Sequence, residues 1–147
     1  MIINIDESTL YATDTRKKSW GTPGKGLFLG NAQRLTSVNM VAAISSDGEY
    51  YFTINQGRNN GYTLLLFLVR LIRHLNRFKP NWRSKTVFLL DNASYHRSEF
   101  LKQCFLEMKI SVNYLGPYQF SMAPIENFFS YVKARELNPE NYRCKKR

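Results

Sequence analysis

Three carboxylates in this 147-residue chain stand where acid side chains can do chemistry. Asp6 follows Ile2-Ile3-Asn4-Ile5, and Asp91 follows Thr86-Val87-Phe88-Leu89-Leu90. In open α/β sheets, ligand sites gather beyond the carboxyl ends of the strands, so two acids at such ends can face one another if their strands are neighbours. Two close carboxylates repel and shift toward protonation. A bound divalent cation removes that conflict, and hard ions such as Mg²⁺ take oxygen ligands. Taken singly, either acid serves equally well as the cap of a turn. The third acid, Glu126, lies in Ala123-Pro124-Ile125-Glu126, with Pro124 suited to the first position of a helix. Glu126 then occupies the third helical position, the place of the Glu in a capping box. The N-cap would be Ala123, which has no side-chain oxygen to return the reciprocal bond.

The elements that must position these acids follow from local pattern. Ile2 to Asp6 reads as a short strand. Val38 to Ser45 and Tyr50 to Ile54 read as a hairpin joined at Ser46-Asp47-Gly48. Gly61 to Phe78 reads as a helix with Leu65, Leu68, Ile72 and Leu75 at helical spacing, stopped by Pro80. Thr86 to Leu90 is a wholly apolar run, as expected for a central strand covered on both faces. Ser98 to Lys109 reads as a helix, Val112 to Leu115 as a strand, and Pro124 to about Glu136 as a last helix. Ile125, Phe128, Phe129 and Val132 give that helix its apolar stripe, while Glu126, Ser130 and Lys133 follow one another on another face. The order predicts one α/β domain with a mixed sheet of five strands.

Composition narrows the partner. With 44% apolar residues, ten Phe, nine Tyr and two Trp, the chain can bury a proper core. Lys and Arg number 21 against 11 Asp and Glu, a net charge of +10 that points to an anionic polymer or surface. No acid occurs from Thr15 to Ser46 or from Tyr50 to Leu90, so the signs are segregated rather than mixed. No apolar run is long enough to span a membrane, and Met-Ile-Ile-Asn-Ile-Asp lacks the layout of a signal peptide. Cys104 and Cys144 give neither a disulfide framework nor a metal-knuckle spacing. The expectation is a soluble, reduced, intracellular protein with nucleic acid as partner, nuclear if the host is eukaryotic and otherwise in the cytoplasm or nucleoid.

Four segments together resemble the mariner-like superfamily of DDE transposases. They are Asp6-Glu7 after a strand, Leu89-Leu90-Asp91-Asn92-Ala93-Ser94-Tyr95-His96, Pro117-Tyr118 with Pro124-Ile125-Glu126-Asn127, and Lys18-Ser19-Trp20-Gly21 with Gly24-Lys25-Gly26. Between Asp91 and Glu126 lie 34 residues, the spacing of that superfamily. The resemblance runs from about Ile2 to Arg135. It implies the catalytic domain of a transposase, with a ribonuclease-H-like fold built on a mixed five-stranded sheet flanked by helices. It further implies two divalent metals, Mg²⁺ or Mn²⁺ in its place, held by catalytic Asp6, Asp91 and Glu126. Such a pair serves in-line displacement at a phosphodiester. Water as nucleophile gives DNA cleavage, and a DNA 3′-hydroxyl gives strand transfer. Relatives act on paired transposon ends, which makes a homodimer an expectation too. The loop before the last helix departs from the usual pattern, lacking a second Pro and an Asn cap.

Other residues are candidates for supporting roles. Glu7 and Asn92 are expected to support the metal ligands or position substrate. His96 contacts a phosphate, orients a ligand, or is simply structural. Trp20 among Lys17, Lys18 and Lys25 can stack on an unpaired base while the lysines hold phosphates, or it packs its own hairpin. Arg70, Arg73 and Arg77 form either a DNA track or a solvated helix face, and Lys133 joins the DNA-binding candidates. The chain as a whole, residues 1–147, is expected to be a single catalytic domain without the helix-turn-helix domains with which relatives recognise transposon ends, and so a fragment. The rival expectation is a catalytically silent remnant that binds DNA without sequence preference.

Overall fold

A computed structural model describes residues 1–11, 37–116 and 123–136. The expected Trp20 hairpin, the Pro117–Met122 loop and the basic C-terminal residues lie outside the described residues.

Five strands form one sheet in the order β3-β2-β1-β4-β5. β1 (Ile2–Tyr11) pairs antiparallel with β2 (Ser37–Ser45), which pairs antiparallel with β3 (Tyr50–Gln56). On its other side β1 pairs in parallel with β4 (Val87–Leu90), and β4 in parallel with β5 (Ser111–Tyr114). The sheet is therefore mixed, as the order of elements predicts. The helices are α1 (Gly61–Phe78), α2 (Glu99–Glu107) and α3 (Pro124–Tyr131), the last continued by a π-helical turn, Val132–Glu136.

Each face of the sheet has its own core. Ile3 and Ile5 of β1, Val41 and Ala43 of β2, and Phe88 and Leu90 of β4 pack beneath Leu64, Phe67, Leu68, Leu71, Ile72 and Leu75 of α1 and Leu101 and Phe105 of α2. On the opposite face, Met40 and Ala42 meet Ala123, just before α3, and Ile125 and Phe129 of α3. Covered on both sides, β2 is buried without a break from Asn39 to Ala43. Successive strand residues point to opposite faces, so Asn4 and Asp6 turn toward α3 while Ile3, Ile5 and Glu7 turn toward α1 and α2.

The helix ends obey local chemistry. The Asn60 side chain caps α1 by accepting from the Thr63 amide at 3.0 Å, and the helix stops at Phe78, two residues before Pro80. Ser98 caps α2, accepting from the Leu101 amide. Lys79 at the end of α1 pairs with Asp47 and Glu49 at 3.3 and 3.1 Å, a surface tie to the β2–β3 turn. Among the described residues no helix is long and apolar enough to cross a membrane.

One difference from the sequence-based expectation bears on the site. The strand predicted to end at Asp6 continues to Tyr11, because β2 pairs with every residue from Ile3 to Tyr11. Asp6 thus lies mid-strand, opposite Ala42. Removing core volume should be costly in this double-layered arrangement. Phe88→Ala should lower unfolding free energy by about 3–5 kcal/mol, whereas Leu106→Ala, at an exposed position, should stay within ~0.5 kcal/mol; urea denaturation measures both.

Candidate active site

β1 parts from β4 after Asn4, and Asp6 and Asp91 lie just beyond that divergence. The parallel register pairs Ile2 with Val87, Ile3 with Phe88 and Asn4 with Leu89. Carried two residues further, the same register sets Asp6 alongside Asp91. The two acids line one small recess, with Asn4, Ile5, Leu115, Ala123 and Ile125 completing its wall. α3 closes it from above, packing on β1 and β2. Glu126, at the first turn of α3, is near enough to repel the Asp6 carboxylate.

Asp6 carries the strain of this arrangement. Its pKa is pushed up to about 7 by burial, against the opposing pull of the Glu7 amide donating to Oδ1 at 2.7 Å, with further upward pressure from Glu7, Asp91 and Glu126. In the metal-free protein it holds its proton up to neutral pH. Asp91 moves the other way. A hydrogen bond from His96 holds its carboxyl below the usual range despite partial burial, helped by the Ala93 amide donating to Oδ1 at 3.0 Å. The turn-capping role expected of a lone Asp is therefore real here, and it coexists with the recess.

His96 is fully buried, so it cannot touch a phosphate. Its Nδ1 lies 2.6 Å from Asp91 Oδ1 and its Nε2 3.1 Å from Glu7 Oε1. Burial alone would discharge the ring, but the hydrogen bonds to Asp91 and Glu7 outweigh it and raise its pKa to about 10. Both nitrogens then donate, and the imidazolium ties the end of β4 to β1. The Tyr95 hydroxyl also bonds Glu7, whose side chain is only 7% exposed. Burial, first, and the Glu7 charge raise the Tyr95 pKa, keeping the phenol protonated. The Tyr114 hydroxyl holds the His96 carbonyl at 3.1 Å.

Not every candidate belongs to this assembly. Asn92 is exposed and accepts from Arg97 at 3.2 Å. Arg70, Arg73 and Arg77 are exposed on α1, in the layer across the sheet from the recess. Lys133 lies half-buried on the π-helical turn after α3. Lys17, Lys18, Trp20 and Lys25 fall outside the described residues. Asn4 is not among the residues expected from the sequence; its signal is a polar residue inside an otherwise apolar strand, in step with Asp6. Among the described residues, no three His, Cys, Asp or Glu side chains converge as a ready-made ligand set for a metal. The donor chemistry nonetheless fits a hard divalent cation: the acids offer oxygen, repel one another, and push a proton onto Asp6.

The whole chain, residues 1–147, matches the family described as DDE superfamily endonuclease, and the protein belongs to that family. Its fold is the ribonuclease-H-like fold of the mariner transposase catalytic domain. The Mos1 mariner paired-end complex with Mn aligns with a TM-score of 0.70 at 21% identity, covering 92% of this chain and 42% of that one. The Mos1 paired-end complex with left transposon end gives 0.68 at 24%, covering 90% and 41%. The catalytic domain of Mos1 mariner transposase gives 0.66 at 17%, covering 92% and 59%. The chain thus spans about two-fifths of the Mos1 chains in those complexes. No curated protein matches it.

Two outcomes follow from the electrostatics. His96→Ala leaves the buried Glu7 without its cation and should cost about 3–5 kcal/mol in urea unfolding at pH 7, much of it recovered by adding Glu7→Gln. A loss under ~1 kcal/mol would show that the bridge is not made. Because the folded pKa of Asp6 lies above its unfolded value, the stability that Asp6 contributes to the metal-free fold is lost as pH rises from about 4 to about 7. Asp6→Asn should therefore raise Tm at pH 8 by about 3–5 °C, the shift that ~1 kcal/mol produces at this size, and change little at pH 4.

Proposed function

We propose that this chain is the catalytic core of a DNA transposase, cleaving and joining phosphodiesters with divalent metals held by Asp6, Asp91 and Glu126. The observation that carries the reading is the shared recess of Asp6 and Asp91, with Glu126 in electrostatic reach at the start of α3. Family membership supports the class of reaction, and the Mos1 catalytic domain, similar in fold, has been solved with Mn and with Mg. Mg²⁺ or Mn²⁺, when bound, would activate the attacking oxygen and stabilise the leaving one.

The chain's own groups divide the remaining work. Asp6 must surrender its proton before its oxygens can serve as ligands, so metal binding near pH 6 is coupled to proton release. His96 keeps Asp91 ionised and occupies Oδ1, leaving Oδ2 for the recess. Glu7 and Tyr95 hold the imidazolium in place from the far side of the sheet. Glu126 enters from α3, whose first turn sets how closely it approaches the other two acids.

DNA is the proposed substrate and partner. The net charge of +10 supplies the attraction to phosphates, and Lys17, Lys18, Trp20, Lys25, Arg70, Arg73, Arg77 and Lys133 are the candidate contacts. A homodimer on paired ends and a nuclear location in a eukaryotic host are part of the same reading. The lack of a converged ligand set among the described residues favours a second one, a catalytically silent DNA-binding remnant.

Nicking of supercoiled plasmid in Mn²⁺ or Mg²⁺ separates them. The enzyme reading expects metal-dependent nicking that falls in Asp6→Ala and Asp91→Ala by more than the ~10–100-fold that loss of a ligand's outer partner costs. Equal nicking by the variants would overturn it. Salt-sensitive binding without nicking by the wild type would establish the remnant.

A further inference from the structure

We infer that Asn4 is a positioning residue that sets the spacing of all three carboxylates, an inference that rests on the carboxylate reading proposed above. Asn4 is 3% exposed, in the same strand and on the same face as Asp6. A buried amide is costly unless both its ends are bonded. Its Nδ2 donates to the Leu89 carbonyl at 3.2 Å, and its Oδ1 accepts from the Ile125 amide at 3.3 Å. Only one orientation of the amide satisfies a carbonyl on one side and an N–H on the other. Leu89 stands two residues before Asp91, and Ile125 immediately before Glu126. One side chain therefore joins the three segments that carry the acids, each within two residues of its acid.

The bond to Ile125 answers a defect in α3. A helix begins with amides that lack intrahelical partners, which an N-cap side chain ordinarily serves. Here Pro124 has no N–H, and the Glu126 amide turns back to the Ala123 carbonyl at 3.1 Å. Ile125 is left as the donor needing an acceptor, and Ala123 offers none. Asn4 supplies it from another element, so α3 is capped by the strand that carries Asp6. The bond to Leu89 falls at Asn4↔Leu89, the last pair of the β1–β4 ladder, where regular pairing stops holding the two strands together. Fixing α3 and β4 to this one point of β1 fixes where Glu126 and Asp91 stand relative to Asp6.

Mn²⁺ titration by calorimetry, with amide hydrogen exchange at Ile125, tests this on the wild type, Asp91→Ala, Asn4→Leu and Asn4→Leu with Ala123→Ser. Leu keeps the branched skeleton of Asn4 in a somewhat larger side chain and removes both hydrogen bonds. Asn4→Leu is expected to fold, to exchange the Ile125 amide faster, and to bind Mn²⁺ about 10–100-fold more weakly. Ala123→Ser, a local cap, is expected to restore Tm without restoring Mn²⁺ affinity. Affinity within twofold of wild type in Asn4→Leu, with binding lost in Asp91→Ala, would overturn the inference alone. So would affinity restored by Ala123→Ser, which would make Asn4 a cap and nothing more. Equal Mn²⁺ binding by wild type and Asp91→Ala would overturn the carboxylate reading and this inference with it. If Asn4→Leu does not fold, Asn4→Ser, too short to bridge both partners, carries the same readouts.

Discussion

β1 cannot slip in its register without exchanging what it shows to each face of the sheet. Side chains alternate along a strand, so a shift of one residue would put Ile3 and Ile5 among the polar groups beneath α3 and drive Asn4 and Asp6 into the core under α1. Ile3 and Ile5 are fully buried in the larger core, and that burial holds the strand in place. Because β1 is also the central strand, its register passes to β2 on one side and β4 on the other. The height of Asp6 in the sheet, its alignment with Asp91, and the reach of Glu7 toward His96 all descend from that constraint.

The cost of the arrangement falls on the acids. The fold sets Asp91 beside an imidazolium and Asp6 in a recess with no cation among the described residues, so the two carboxylates move in opposite directions from ordinary values. Two similar groups are thereby given different proton affinities by environment alone. A fold optimised for stability would not keep Asp6 where burial and three neighbouring acids oppose its charge. Such a site is where local rules are expected to break for the sake of function.

The sequence carried the elements more fully than the contacts. α1 is bounded by Asn60 and Pro80, and its predicted span, Gly61 to Phe78, is the one observed, because capping and apolar spacing are local properties. Asp6 and Glu7 look like a strand end by local pattern, and only pairing with a distant β2 shows that the first strand goes on. The apolar stripe predicts a last helix to about Glu136, yet its α-helical part closes at Tyr131 and a π turn follows. Asp6, Asp91 and Glu126 were legible as types at intervals, and the recess of the first two follows from a parallel register that no local pattern encodes. His96 was visible as a motif residue with open roles; its bridge to Glu7 spans 89 positions and becomes evident only in three dimensions. Asn4 looked like an interruption of an apolar run, since its partners lie 85 and 121 positions away.

The recess between Asp6 and Asp91 is proposed as a metal site that Glu126 completes. Its most direct test is anomalous diffraction from crystals soaked with Mn²⁺ at pH 8, where Asp6 is ionised. An anomalous peak is expected in contact with Asp6 and Asp91, with Glu126 drawn toward it. A well-ordered recess without a peak, in crystals that bind Mn²⁺ elsewhere, would contradict it.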